Sequence, residues 1–281
     1  RSPAKDTLLS HAASITGRGR GFAVHEALDQ FGAVIGPLTV AAVLAATGGD
    51  YAPALGMLAL PGAAALALLV WLRLRVPDPA RYEQGDAATD RSAAAQDGTL
   101  PGAFWLYCGF TAVTMIGFAT FGLLSFHMVI RGILPAAAVP VIYAAAMGAD
   151  ALAALASGWS YDRLGGKTLA ALPILSALVA VFGFTGNVAT VLLGALLWGA
   201  AVGIQESTLR AVVADLVASP RRASAYGVFA AGLGAATAAG GALTGWLYDI
   251  STGTLVVVVV AVQLLALVAV SALWLRQATA R

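Results

Sequence analysis

The sequence predicts an all-α membrane protein with about eight membrane-spanning helices. Of its 281 residues, 59% are hydrophobic and 11% are charged, whereas a soluble domain carries about 25% charged residues. The apolar residues form long continuous runs, which favours helices over the alternating ten-residue strands of a barrel. These runs cover residues 21–47, 52–74, 103–130, 137–160, 168–186, 188–209, 223–248 and 253–275. Most of them are long enough to cross a hydrocarbon core about 30 Å thick.

The basic residues predict which ends of the helices face the cytoplasm. Eight successive spans place five connecting segments on one side of the membrane, namely 1–20, 72–100, 161–168, 210–222 and 276–281. All but one of the 16 Lys and Arg residues lie in these segments, and only Arg131 lies on the other side. The positive-inside rule therefore predicts that both chain ends are cytoplasmic, in a multi-pass protein of the plasma membrane. The long apolar runs make the lipid bilayer an expected partner. Nucleic acid is not expected, because the basic residues are scattered over short turns and do not form one patch.

A charged turn separates the fourth and fifth apolar runs. Residues 158–167 read Gly-Trp-Ser-Tyr-Asp-Arg-Leu-Gly-Gly-Lys. This turn resembles the loop signature of major facilitator superfamily transporters, G-x-x-x-D-R-x-G-[RK]-[RK]. The matching residues are Gly158, Asp162, Arg163, Gly165 and Lys167, whereas Gly166 departs from the pattern.

The resemblance implies that this turn acts as a cytoplasmic gate that latches two helix bundles. Gly158 allows close helix approach, and Asp162 can accept hydrogen bonds from a helix N-terminus. The implied contacts of Asp162 are the start of the first span, near Arg18 to Gly21, and Arg210. The alternative is an ordinary positively charged turn that only sets the topology.

The superfamily also implies a domain organisation, because its two bundles of six helices are joined by a long cytoplasmic loop. Residues 76–100 form the one extended polar stretch and are predicted to be that linker. Residues 101–281 are then the second bundle, and residues 1–75 are the end of the first, with a cytoplasmic lead-in and spans five and six. The first four spans are expected to be missing from this chain.

Ionisable residues within the spans are the first candidates for function, because each costs at least about 2.5 kcal/mol to insert. Asp150 lies near the middle of its span, and Tyr143 and Met147 share its helix face. We expect this face to bind a substrate or a coupling proton; an interhelical packing role for Asp150 is the alternative. Glu206 and Arg210 are spaced to pair with each other, and they are further candidates for coupling.

Two other groups of residues in the spans are predicted to have structural or gating roles. Glu26 and Asp29 lie just inside the cytoplasmic end of the first span and are assigned to the gate. Gly32, Gly36 and Pro37 resemble, in part, a glycine–proline motif of drug/proton antiporters; Ala23 and Val40-Ala41 depart from it. This motif predicts close helix packing and a bend at Pro37. His127, close to Arg131, is expected to be a solvated interfacial residue.

Taken with the resemblance, these patterns predict secondary transport of a small organic solute by alternating access. Proton-coupled export, with protons as a second partner, is the form that the ionisable residues and the antiporter-like motif favour. An enzyme is not expected, because the sequence lacks HExxH, GxSxG and paired metal ligands, and no cofactor or metal is predicted. The alternative is a membrane sensor or scaffold that has a transporter-like fold but moves no solute.

Overall fold

The computed structural model describes residues 3–14, 17–48, 50–75 and 99–279. The predicted linker lies outside them except for its last two residues. The described segments form eleven α-helices joined by short turns and 3-10 segments. They are α1 (Pro3–Ala12), α2 (Arg18–Ala46), α3 (Tyr51–Met57), α4 (Ala59–Arg75), α5 (Gly102–Ile116), α6 (Phe121–Ile130), α7 (Val139–Leu164), α8 (Ala171–Gly183), α9 (Val188–Leu216), α10 (Arg222–Ile250) and α11 (Thr252–Thr279).

Six stretches of the described helices are long and apolar enough to cross a membrane, which confirms the predicted fold class. They are Leu55–Arg75, Gly102–Ile130, Val139–Gly183, Val188–Leu216, Ser219–Ile250 and Thr252–Ser271. The third is 45 residues long and contains both α7 and α8, so it accounts for two predicted spans. The first predicted span corresponds to α2, which is not among these six stretches of the described residues.

The predicted span 103–130 is interrupted in the structure. Helix α5 ends at Ile116, and α6 starts after Thr120, whose hydroxyl accepts a hydrogen bond from Leu123 N at 3.2 Å. At the break, Gly117 packs so closely on α11 that a Cβ would lie 2.7 Å from Gln263 Nε2. The same Gln263 nitrogen donates to the Thr114 carbonyl at 2.9 Å. These contacts satisfy polar groups that a helix end exposes.

Helices α7 and α9 form the centre of the bundle through backbone contact at two glycines. A Cβ at Gly199 would overlap the carbonyl of Ala146, and one at Gly203 would overlap the carbonyl of Asp150. Such small residues allow membrane helices to approach closely.

Only the first half of α2 is packed against α7 and α9. Beyond Gln30, the side chains of Phe31, Ile35 and Leu38 are more than half exposed. A Cβ at Gly32 or Gly36 would meet nothing within 4 Å. Among the described residues, the close packing predicted at these two glycines is therefore not present. Helix α2 continues through Pro37, whose side chain lies outside the described part.

Candidate functional site

The turn at residues 158–167 defines one end of the bundle, which we call the signature end. There Asp162 caps α2 from the neighbouring helix: its Oδ1 accepts from Gly19 N at 2.8 Å and its Oδ2 from Arg20 N at 3.0 Å. The N-cap residue of α2, Gly17, has a φ of 100° and supplies no side-chain cap. Asp162 thus satisfies amide groups that α2 leaves without partners, and its negative charge interacts favourably with the positive end of the helix dipole.

The backbones of α2 and α7 touch beside this cap. A Cβ at Gly158 would overlap the Gly19 carbonyl and lie 2.5 Å from Ala23 Cβ. Glycine is therefore required on α7 at this crossing. Of the remaining signature residues, Gly165 ends α7 with a φ of 62°, a conformation that favours glycine, while Arg163 and Lys167 are exposed.

A second contact at the signature end involves Asp215, a residue that the sequence analysis did not single out. Its Oδ1 lies 2.5 Å from Arg18 Nη1, and its Oδ2 accepts from the Tyr161 hydroxyl at 2.6 Å. Asp215 therefore links the start of α2 to the end of α7. The sequence held one indication of this role, because Asp215 is the one acidic residue in the predicted cytoplasmic connection 210–222, whose other charged residues are basic.

Arg210 lies in a buried polar cluster rather than beside Asp162, so the predicted contact between these two residues is absent from the described structure. Its guanidinium donates to Glu206, while its Nε lies 3.7 Å from Asp6 Oδ2 and its Nη1 lies 4.0 Å from Glu26 Oε2. The arginine thus joins α9 to both α1 and α2.

Gln30 extends this cluster to α7. Its Nε2 donates to Glu26 Oε1 at 2.7 Å and to Asp150 Oδ2 at 3.1 Å. The Glu26 and Asp150 side chains are completely buried. We use the name polar cluster for Asp6, Glu26, Gln30, Asp150, Glu206 and Arg210. Four of these residues were predicted from the sequence, whereas Asp6 and Gln30 were not.

A cavity of about 510 Å³ opens between α2, α7 and α9. Its wall includes Tyr143 and Met147, as the shared helix face with Asp150 suggested. Asp150 itself does not line the cavity and reaches it only through Gln30, which belongs to both the wall and the polar cluster. Asp29, which the sequence analysis assigned to the gate, also lines this cavity.

Glu206 and Arg210 lie at a different cavity. They line a space of about 460 Å³ on the side of α9 that faces α10, together with Tyr226 and Phe229. Tyr143 and Met147 thus line one cavity, and Glu206 and Arg210 line another. The polar cluster, which includes Asp150, connects the two cavities.

His127 is buried rather than solvated, contrary to its expected interfacial position. Its side chain is 3% exposed, with Nδ1 2.9 Å from the Tyr248 hydroxyl and Nε2 3.0 Å from the Thr185 carbonyl. Because a carbonyl only accepts, Nε2 is the protonated nitrogen and Nδ1 can accept from Tyr248. The imidazole thus links α6, α10 and the turn after α8.

These features define an all-α, multi-pass integral membrane protein with a polar cluster between its helices and a cavity next to it. Two overlapping matches to the family model described as Major Facilitator Superfamily cover residues 2–186 and 135–281. The chain belongs to the Major Facilitator Superfamily, which confirms the resemblance of the signature turn.

Similar proteins occur in mycobacteria. The chain is 74% identical over 268 residues to an uncharacterized protein of Mycobacterium bovis and to one of Mycobacterium tuberculosis strain H37Rv. Each alignment covers 95% of this chain and 66% of the relative. The chain therefore spans about 66% of the length of these relatives.

Proposed function

We propose that the protein is a secondary transporter that moves a small organic solute by alternating access. The observation that supports this most is the close crossing of α2 and α7 beside a cavity. Asp162 caps the start of α2, and Gly158 packs against it. Further along, the same two helices border, together with α9, a cavity of about 510 Å³. A contact that closes one end of two helices next to a cavity is what rocking of two bundles about a central site requires.

In this proposal the signature end is cytoplasmic, and its contacts close the cytoplasmic gate. Asp162, Gly158 and Asp215 hold the closed state, while Arg163 and Lys167 remain at the headgroups and set the topology. Asp29 contacts solute at the cavity wall, and Glu26 belongs to the buried coupling network.

Labelling of single cysteines tests the orientation in the plasma membrane. After Cys108 is replaced by alanine, we expect cysteines introduced singly at Ser92 and Ser251 to react with a membrane-impermeant maleimide from opposite sides of oriented vesicles. The expected cytoplasmic position is Ser92. Reaction of both cysteines from the same side would contradict the assigned topology.

We further propose that the polar cluster couples transport to protons, in the direction of export. In the described part of the chain, the cluster contains four carboxylates and one guanidinium. Two of the carboxylates, Glu26 and Asp150, are fully buried and accept hydrogen bonds from the same Gln30 nitrogen. Like charges close together disfavour each other's ionisation, so a proton bound by Asp150 or Glu26 reduces the repulsion between these two carboxylates and stabilises the packed state. Release of that proton would favour separation of α2 from α7.

Asp150→Asn distinguishes proton chemistry from packing, because the amide keeps the size of the side chain and cannot titrate. In proteoliposomes we expect this variant of the full-length protein to lose accumulation driven by a pH gradient but to keep exchange of the same solute. Asp249→Asn, at an exposed carboxylate, is the matched control and should behave as wild type. Gradient-driven accumulation by Asp150→Asn at the wild-type rate would refute the coupling role.

Counterflow separates transport from the alternative of a sensor or scaffold. Proteoliposomes preloaded with an unlabelled solute are given a trace of the labelled solute, for each member of a panel of small organic molecules. A carrier concentrates the label transiently, because the same site exchanges solute on both sides. Saturable binding without counterflow for every bound solute would favour the sensor.

A further inference from the structure

We propose that the cavity between α2, α7 and α9 selects organic cations of the quaternary ammonium or phosphonium type. This inference rests on the proposed function, because it assigns a substrate class to the same cavity. It starts from the aromatic residues on one wall. Tyr143 of α7 and Trp198 of α9 both line the cavity, and their ring centroids are 6.3 Å apart.

Phe121, at the start of α6, holds these two rings in place. Its ring lies 5.0 Å from that of Tyr143 and 5.1 Å from that of Trp198. Phe118 stacks on Trp198 from the other side of the helix break, with the two ring planes 10° apart. Phe118 lies just after α5 and Phe121 begins α6, so the break between these helices brings two aromatic rings against Trp198. A fixed group of aromatic rings is the usual receptor for a desolvated organic cation.

The opposite wall supplies a negative charge. Asp29 of α2 lines the cavity next to Gln30, and it is the one charged side chain among the described residues of the wall. His25 lies one helical turn before Asp29 and contacts Lys5, with Lys5 Nζ 2.8 Å from His25 Nε2, but neither basic residue lines the cavity. A cation can therefore lie between a carboxylate and aromatic rings. An anion would meet Asp29 with no basic side chain on the described wall.

The residues behind the wall favour the same sign of charge. Through Gln30, the cavity adjoins the carboxylates of Glu26 and Asp150. The guanidinium of Arg210 lies on the far side of Glu26 and is already engaged by Glu206. Asp29 on the wall is therefore not offset by this guanidinium, which lies behind Glu26 and does not line the cavity.

The remaining wall suits a solute with apolar substituents. Met147 and Val202 add flexible and aliphatic surface, and a volume of about 510 Å³ is in the range of sites for drug-sized molecules. A small hydrated ion would leave this surface without contacts. The preferred cation is thus one whose charge is surrounded by alkyl or aryl groups.

Two probes of the same shape and opposite charge test the assignment. Saturable binding of radiolabelled tetraphenylphosphonium and of tetraphenylborate is measured on the purified full-length protein in a neutral detergent, with excess unlabelled probe to define nonspecific uptake. We expect saturable binding of the cation and none of the anion. Asp29→Asn should weaken cation binding about tenfold or more, and Trp198→Leu by about 5- to 30-fold. Trp198→Phe, which keeps an aromatic face, should retain most of the affinity.

Asp249→Asn is the matched control and should bind the cation as wild type does. Because Trp198→Leu could perturb packing, Tyr143→Leu and Tyr143→Phe provide a second pair at a more exposed ring, with the same expected contrast. Equal saturable binding of both probes, or an unchanged affinity in Asp29→Asn, would overturn the inference.

The binding assay is independent of transport. A protein that shows counterflow of other solutes but no saturable binding of the cation would contradict the cation assignment alone. Charge-selective binding without counterflow of the cation would support the site and contradict the transport proposal.

Discussion

Replacing Gly158 with valine is expected to open the signature end. The new side chain would overlap the Gly19 carbonyl and the Ala23 side chain, so α2 cannot return to its packed position. Overpacking of this kind costs about 1–3 kcal/mol, which shifts the balance between closed and open states by about 5- to 150-fold. The shift can be measured without a known solute, because Ser207, on the neighbouring face of α9, is completely buried in the closed arrangement.

The measurement uses a Ser207→Cys reporter in a background in which Cys108 is alanine. Gly158→Val should increase the rate of alkylation of the reporter by at least tenfold, within the range that this overpacking energy allows. Gly148→Val on the same helix is the matched control, because a Cβ at Gly148 meets nothing within 4 Å. Equal rates of alkylation of the Ser207→Cys reporter in Gly158→Val and Gly148→Val would show that the close crossing at Gly158 does not control access to this site.

Arg210→Met is expected to cause the largest loss of stability. Arg210 is the only guanidinium in the polar cluster as we define it, and it is 6% exposed. Its removal leaves Glu206, Asp6 and Glu26 without their shared cation. Breaking a buried ion pair from one side costs about 3–5 kcal/mol, which corresponds to a fall of about 10 °C or more in the midpoint of thermal unfolding.

Thermal unfolding of the purified protein measures this effect. Arg131→Met, at an exposed arginine, controls for the loss of a positive charge and should change the midpoint little. Glu206→Gln should have a smaller effect than Arg210→Met, because Arg210 keeps Asp6 and Glu26. Identical midpoints for Arg210→Met and Arg131→Met would show that the cluster does not stabilise the bundle.

The sequence predicted the features that depend on local pattern. The apolar runs indicated the helices, and the shared face of Tyr143 and Met147 followed from helical spacing. Both inferences need only residues that are close in the chain. The contact of Asp162 with the start of α2 joins distant residues, and it was implied by the resemblance of the turn at 158–167 to the superfamily signature.

The features that the sequence missed depend on how helices cross. Gln30 bridges Glu26 and Asp150 because α2 crosses α7 next to Asp150. Asp215 meets Arg18 because the start of α2 lies beside the end of α9. His127 is buried because Tyr248 and Thr185, both distant in sequence, surround it. Gly32 and Gly36 form a smooth surface in the sequence, but no described helix packs on it.

Distances between spin labels at the two ends of α2 and α7 test alternating access most directly. One pair of nitroxides is placed on Val24 and Leu164 at the signature end, and a second pair on Leu38 and Val141 at the opposite end. All four side chains are exposed. The labels are introduced into the full-length protein in lipid nanodiscs, with Cys108 replaced by alanine.

Alternating access predicts opposite changes at the two ends. Asp162→Asn weakens the cap on α2, so it should lengthen the Val24–Leu164 distance and shorten the Leu38–Val141 distance relative to the wild type. Two distances that remain unchanged in this variant, or that lengthen together, would contradict the proposal that the bundles rock about the cavity.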